Sequence, residues 1–170
     1  MNERTFCLKL YRQAFPEPDL PFEEALFEHC FKYCRYIEEN GKIVSMLFAL
    51  PCELKTKTET KSVIYIYAAA TLQEYRGRGY MARLIEQLKG EGKALFLRPA
   101  TEGLISFYKK FGFKAVNGFK KEEAPYIKPC QGFETLIRKF PEETSGEQYT
   151  AMYYGTEFEF DTINFIYTME

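Results

Sequence analysis

Nine residues from Ser62 to Ala70 constrain this chain more than any others, because their apolar side chains fall on both faces of an extended backbone. Val63, Tyr65, Tyr67 and Ala69 share one face, and Ile64, Ile66, Ala68 and Ala70 share the other. Such a strand belongs inside a sheet that is covered on both sides. Its last three residues are alanines, small enough to leave room for a molecule lying against the backbone. After a turn through Arg76-Gly77-Arg78-Gly79, the residues Met81, Leu84, Ile85 and Leu88 form one face of a helix that Gly90 ends. Strand, glycine turn and helix in that order make an anion-binding device. Glycine backbone can approach an anion closely, and the start of the helix aims unpaired N–H groups and its positive dipole end at the same place. Arg76 and Arg78 add side-chain charge.

The neighbouring segments complete an alternating pattern. Ala94 to Leu97 is a short buried strand, parallel to the central one if the intervening helix crosses over in the usual right-handed way. Thr101 can cap the next helix, whose apolar face is Leu104, Ile105, Phe107, Tyr108 and Phe111. Gly112 is its left-handed terminator, Phe113 packs back on Tyr108, and a strand runs from Phe113 to Val116.

Upstream, Cys7, Leu10, Tyr11 and Ala14 form one helical stripe that Pro16 closes. A second helix starts at Pro21, with Glu23 and Glu24 in its first turn and Phe22, Leu26 and Cys30 on one face. Asn40-Gly41 marks a two-residue hairpin between strands Lys32 to Glu39 and Lys42 to Leu50. Pro51 is expected to end the second strand, and Glu53 to Lys61 to form a solvated turn. Beyond Asn117 the pattern loosens. Phe133, Leu136, Ile137 and Phe140 suggest a short helix, and Ser145 with Gln148 a capping box for another that carries Tyr149, Met152 and Tyr153. Ile163, Phe165 and Tyr167 alternate as a final strand.

At 170 residues, 46% hydrophobic and 28% charged, the chain reads as one globular domain over residues 1–170. A net charge of −1 gives no field that favours nucleic acid or an anionic membrane. No apolar run approaches the ~18 to 20 residues of a membrane span, and the N-terminus lacks a basic-then-apolar signal, so the cytoplasm is expected. Five irregularly spaced cysteines fit reduced thiols. His29, Cys30 and Cys34 lack the second half of a zinc site, so no metal is expected. Lys109, Lys110, Lys114, Lys120 and Lys121 are read as a solvated face.

Two blocks resemble a known family, the GCN5-related N-acetyltransferases. Arg76-Gly-Arg-Gly-Tyr-Met81 is similar to that family's fingerprint, Gln/Arg-x-x-Gly-x-Gly/Ala, with Met81 where Gly or Ala is usual and Ala82 one residue later. Leu104-Ile-Ser-Phe-Tyr-Lys-Lys-Phe-Gly-Phe-Lys-Ala-Val116 looks like the family's later motif, a Phe-Tyr pair on a helix before Gly-Phe and a strand. Together the blocks cover Ser62 to Val116, and the helix–helix–hairpin order before them also fits.

The resemblance implies an α/β (α+β) fold, a single domain with a mixed, strongly twisted sheet flanked by helices and a long helical excursion before the last strand. It implies acetyl-CoA as co-substrate, its pantetheine arm along Ala69, Ala70 and Thr71. Its pyrophosphate would rest on the amides of Arg76, Gly77, Arg78, Gly79, Tyr80, Met81 and Ala82, with the Met81 side chain turned away. A backbone N–H near Ala69 or Ala70 would polarise the thioester carbonyl, and Tyr108 would protonate the leaving thiolate. The acceptor would be a small-molecule or peptide amine attacking directly. Neither nucleic acid nor membrane is implied as a partner, and a homodimer is left open. The phrase from Ala70 to Met81 looks most like bacterial members acting on small or lysine-like amines.

The central strand holds no carboxylate, so the general base is unassigned; Glu74, Glu157, Glu159 and Asp161 lie outside it. Asn117 to Asp161 is long enough for a substrate lid or insertion. The alternative reading is a catalytically silent module of the same fold that binds acyl-CoA and a protein partner. A third is a nucleotide-phosphate binder of another fold.

Overall fold

Asn2 opens the first helix, α1 (Glu3–Ala14), by accepting a hydrogen bond from the Thr5 N–H at 3.0 Å. Asp19 does the same for α2 (Leu20–His29), accepting from the Phe22 N–H at 3.1 Å with a proline in the first turn. The computed structural model describes residues 2–16, 19–55, 60–119, 127–129 and 149–155. Its further elements are β1 (Cys34–Glu39), β2 (Lys42–Lys55), β3 (Thr60–Thr71), α3 (Tyr80–Gly90), β4 (Ala94–Leu97), α4 (Glu102–Lys109), β5 (Lys114–Phe119), β6 (Ile127–Pro129) and β7 (Tyr149–Tyr154).

The strands form one mixed sheet in the order β1-β2-β3-β4-β7-β5, with β6 also paired to β2. Among the described residues only β3 and β4 run parallel, through Val63–Ala94, Ile64–Leu95 and Tyr65–Phe96, with α3 as the crossover between them. The expected α/β class with a mixed sheet flanked by helices is therefore the observed one. Four consecutive residues of β3, Val63 to Ile66, are buried, which only a strand covered on both faces shows. Helices α1 and α3 both pack on β2 and β3. Phe27 of α2 and Phe48 of β2 are fully buried, their rings 5.3 Å apart and edge to face.

The Asn40-Gly41 hairpin forms as its sequence predicts, with φ of +50° and +76°. Four expectations are corrected. First, β1 starts at Cys34 rather than Lys32, because Phe31–Tyr33 takes a 3-10 turn. Second, Pro51 does not end β2, which runs on to Lys55 while β3 begins at Thr60. On one side of β2, pairing to β1 stops at Phe48 and pairing to β6 starts at Cys52, so Pro51 sits where that edge is open. A residue without a backbone donor is tolerated there.

Third, Tyr149, Met152 and Tyr153 lie on a strand, not a helix. That strand, β7, fills the gap between β4 and β5, and burial of both Ala151 and Met152 overrides the local capping signal. Fourth, β5 continues to Phe119, past the expected end at Val116. Thr101 stands at the N-cap of α4, but its side chain makes no capping bond. The expected helix at 133–140 and strand at 163–168 lie outside the described residues. Cys7, Cys30, Cys34 and Cys52 are buried.

Candidate active site

The site begins with a defect in β3. Opposite it, Met46 pairs with Ala70 and Phe48 with Tyr67, so Leu47 alone faces both Ala68 and Ala69. This is a β-bulge, and Ala68 takes a left-handed φ of +50° to make it. A non-glycine residue in that region costs about 1 to 2 kcal/mol. The strain has a consequence for the strand beyond. β3 stops pairing with β4 after Tyr65–Phe96 yet continues to Thr71, so the two parallel strands part and the backbone of Ala68 and Ala69 has no ladder partner among the described residues.

A cleft of about 740 Å³ lies in that gap. Every predicted cofactor-binding residue except Arg78 lines it: Ala69, Ala70, Thr71, Arg76, Gly77, Gly79, Tyr80, Met81 and Ala82, together with Tyr108. Gly77 and Gly79 have φ of +74° and +81°, and a Cβ built on either meets nothing within 4 Å. Both glycines thus border open space inside a left-handed turn. Gly79 is the N-cap of α3 and offers no side chain to the first-turn N–H groups of Tyr80, Met81 and Ala82. Those donors are left for a bound anion. Met81 lines the cleft and packs partly against the core.

Charge around the turn is arranged by local contacts. Arg76 lines the cleft and its Nε donates to the Thr71 carbonyl at 3.2 Å. Arg78 instead donates to the Glu74 carbonyl at 3.0 Å and covers the Tyr75 ring at 5.0 Å. Lys42, from the hairpin, pairs with Glu74 at 2.8 Å and holds that carboxyl below the usual carboxylate range. The Tyr80 hydroxyl donates to Glu39 on β1, so the hairpin grips both sides of the turn. Beneath the cleft, buried Ser45 lies 2.8 Å from the Thr71 hydroxyl and donates to the Ala70 carbonyl at 3.3 Å.

A second cavity of about 410 Å³ adjoins the first. Phe15, Ala69, Leu104 and Tyr108 line both. Tyr108 thus stands at the junction, buried, and burial pushes its hydroxyl up to about 12. It is a proton donor at neutral pH, not a base. Among the described residues no group of three or more His, Cys, Asp or Glu side chains comes together to hold a metal.

The family model for the acetyltransferase (GNAT) domain matches residues 2–116, which include both α1 and the whole cleft wall from Ala69 to Tyr108. The chain belongs to the GNAT family.

Solved structures agree with that assignment at the level of fold. A probable N-acyltransferase from Enterococcus faecalis is 22% identical with a TM-score of 0.55, over 74% of this chain and 34% of its own. The N-acetyltransferase YlbP of Bacillus subtilis, solved in complex with coenzyme A, is 14% identical with a TM-score of 0.55, over 91% of each chain. Naa50 of Arabidopsis thaliana, solved with the bisubstrate analogue CoA-Ac-MVNAL, is 15% identical with a TM-score of 0.54, over 91% of this chain and 93% of its own. This GNAT chain spans about a third of the length of the Enterococcus protein and of two further bacterial relatives. A search of curated proteins found no match.

Several residues of this GNAT cleft were not expected there from the sequence. Ala14 and Phe15 reach it from the end of α1, whose stripe reads as plain core, and Thr101, Leu104 and Phe107 reach it from α4. The exposure of Leu104 at 36% follows from facing a cleft rather than the core. Nothing in an alanine run announces which residue will adopt positive φ. No helix is long and apolar enough to cross a membrane among the described residues.

Proposed function

We propose that this GNAT domain is an acyl-CoA-dependent N-acyltransferase that moves an acetyl group from acetyl-CoA to a primary amine by direct attack in a ternary complex. One observation carries the reading: the cleft with the glycine turn and the adjoining cavity meet at Ala69 and Tyr108. Acetyl-CoA brings an activated thioester. Gly77, Gly79 and the first-turn amides of α3 receive its pyrophosphate, and Arg76 balances the charge. Thr71, beside Ser45, and the backbone of Ala69 and Ala70 align the pantetheine arm.

The amine enters from the second cavity and its nitrogen attacks the thioester carbonyl carbon. An N–H at the bulge supports the oxygen as charge gathers there. A C–N bond forms, the C–S bond breaks with its electron pair on sulfur, and the Tyr108 hydroxyl gives that sulfur its proton. The proton lost by nitrogen leaves to solvent, from which Tyr108 is reprotonated. The reading keeps residues 1–170 as one cytoplasmic acetyltransferase domain, with a substrate lid or insertion within 117–161.

A second reading, a silent module binding acyl-CoA and a protein partner, draws on one fact. No carboxylate or histidine is among the described residues lining either cavity. Incubation with acetyl-CoA and an amine panel, following free thiol, separates the two. Thiol release that depends on amine is expected. Tight coenzyme A binding with no release in any amine would replace the enzyme by the module.

A further inference from the structure

The acyltransferase reading leaves its acceptor unnamed, and the walls of the second cavity bear on that choice. Resting on that reading for where the amine enters, we infer that the acceptor is a small primary amine bearing an aromatic ring on a short alkyl arm. Its ring packs against Phe15, Tyr67 and Leu104.

These three side chains come from the end of α1, from β3 and from α4, and the cavity brings them together beside Tyr108. They still have apolar surface to cover. Phe15 and Tyr67 are half-buried, and Leu104 is 36% exposed although it is a large aliphatic residue on a packed helix. Apolar surface gathered in a pocket next to the reacting centre is surface that a ligand covers. At about 410 Å³ the cavity is near the small end of the ~300–1,000 Å³ range of ligand pockets, which suits one ring and a short arm.

The aromatic walls are also held in place from behind. Buried Tyr11 does this for two of them at once: its ring lies 4.8 Å from Phe15, and its hydroxyl is hydrogen-bonded to that of Tyr67. Phe22 meets the Tyr67 ring edge to face at 6.4 Å, and Tyr65, almost wholly buried, lies 5.9 Å from Tyr67 on the same strand face. Rings fixed in this way take a further ring in offset or edge contact without first being ordered. An aliphatic chain of the same size gains less from them and gives up more rotamer freedom. Arg98 also borders the cavity, but it is engaged in an interaction of its own and is given no part in recognition.

The test uses three amines of similar basicity: phenethylamine, cyclohexylethylamine and ethylamine. Transfer from acetyl-CoA is followed by thiol release in the wild-type chain, Tyr67→Phe, Tyr67→Leu and Phe15→Leu. In wild type, kcat/KM should be about 10- to 100-fold higher for phenethylamine than for ethylamine, from burial of the ring. It should be about 2- to 10-fold higher than for cyclohexylethylamine, from ring-on-ring contact. Tyr67→Leu and Phe15→Leu should each bring the second ratio toward one, whereas Tyr67→Phe, which keeps the ring, should preserve it. A ratio taken within one variant cancels any loss of fold or cofactor common to both amines.

Thiol release at equal kcat/KM for phenethylamine and either comparison amine would keep the transfer reading and overturn the inference. A ring preference unchanged in both Tyr67→Leu and Phe15→Leu would overturn it as well. Calorimetric titration of N-acetylphenethylamine and N-ethylacetamide into the coenzyme A complex separates recognition from transfer. If no amine releases thiol but N-acetylphenethylamine binds, and binds more weakly in Tyr67→Leu, the transfer reading fails and the aromatic site stands. No release and no binding would remove both.

Discussion

Phe113 closes the helix that carries Tyr108: its N–H reaches the Tyr108 carbonyl at 3.4 Å, and its ring lies 5.6 Å from the tyrosine ring. With the Gly112 N–H on the Lys109 carbonyl at 3.0 Å, this is a Schellman ending, and it fixes the height at which Tyr108 enters the junction of the two cavities. Gly112 makes it possible with a φ of +86°, and a Cβ there would come 3.3 Å from the Tyr154 ring. Gly112→Ala should cost about 1 to 3 kcal/mol in urea denaturation. It should also lower turnover beyond what the stability loss explains, since Tyr108 shifts with the helix end. Unchanged stability would show that the turn is not held by this geometry.

Removing the hydroxyl itself separates chemistry from packing. Tyr108→Phe should lower kcat about 100-fold while leaving the affinity for coenzyme A as it was. Because burial holds the hydroxyl up to about 12, no alkaline loss of rate from this group should appear between pH 7 and 10. Undiminished turnover in the variant would remove Tyr108 from the reaction.

The same group links stability to alkaline pH. Tyr108 ionises near pH 10 in the unfolded chain and at about 12 in the fold, so the folded protein keeps the proton longer. Its contribution is whole below pH 10 and is lost as pH rises from 10 through 12, an amount of about 2 to 3 kcal/mol. Denaturation midpoints measured between pH 9 and 12 should fall less steeply in Tyr108→Phe than in wild type.

At the glycine turn, affinity and stability should separate. A methyl group on Gly77 or Gly79 meets no protein atom within 4 Å, but each φ is left-handed and both residues face the cleft. Gly77→Ala and Gly79→Ala should each cost the fold about 1 kcal/mol and weaken coenzyme A at least about tenfold in calorimetry, where 1.4 kcal/mol is a factor of ten. Binding that weakens no more than the fold would mean that the cofactor does not rest on this turn.

What could be read in advance was what local chemistry decides. Asn40-Gly41, the Gly77 to Gly79 turn, the parallel crossover and the Gly112 ending each follow from backbone rules carried by one or two residues, and each stands where the sequence puts it. The misreadings have a common source in long-range pairing. Pro51 stays in a strand because two other strands leave a gap beside it, and the stretch around Met152 is extended because β4 and β5 leave a slot. The site divides the same way. The glycine-turn side of the cleft was legible in glycines and arginines, whereas the second cavity depends on a bulge at Ala68 and on Phe15 and Arg98 arriving from separate elements.

The two arginines of the turn should behave unequally. Arg76 borders the cleft, whereas Arg78 is engaged with the Glu74 carbonyl and the Tyr75 ring. Arg76→Ala is expected to weaken coenzyme A several-fold more than Arg78→Ala, and the gap should narrow as salt rises. Titrations at low and high salt measure this, and equal losses would place both side chains on the ligand.

The helix that brings Phe15 to the cleft, α1, is tied to α2 by an ion pair between Arg12 and Glu23. Glu23 on α2 is 1% exposed, and its Oε1 accepts from Arg12 Nη2 at 2.6 Å and Nε at 2.9 Å. Its Oε2 is buried with no hydrogen-bond partner among the described residues. The carboxylate therefore depends on a single cation that itself reaches solvent. Removing that cation strands a buried charge, while replacing both partners with apolar side chains removes the problem altogether. Arg12→Met should lower the melting temperature, and Arg12→Met with Glu23→Leu should recover most or all of the loss. Since α1 ends in Ala14 and Phe15 at the cleft, the single variant should also lower transfer rate and the double variant restore it. Losses that simply add would show that Arg12 matters through its own packing and not through the buried carboxylate.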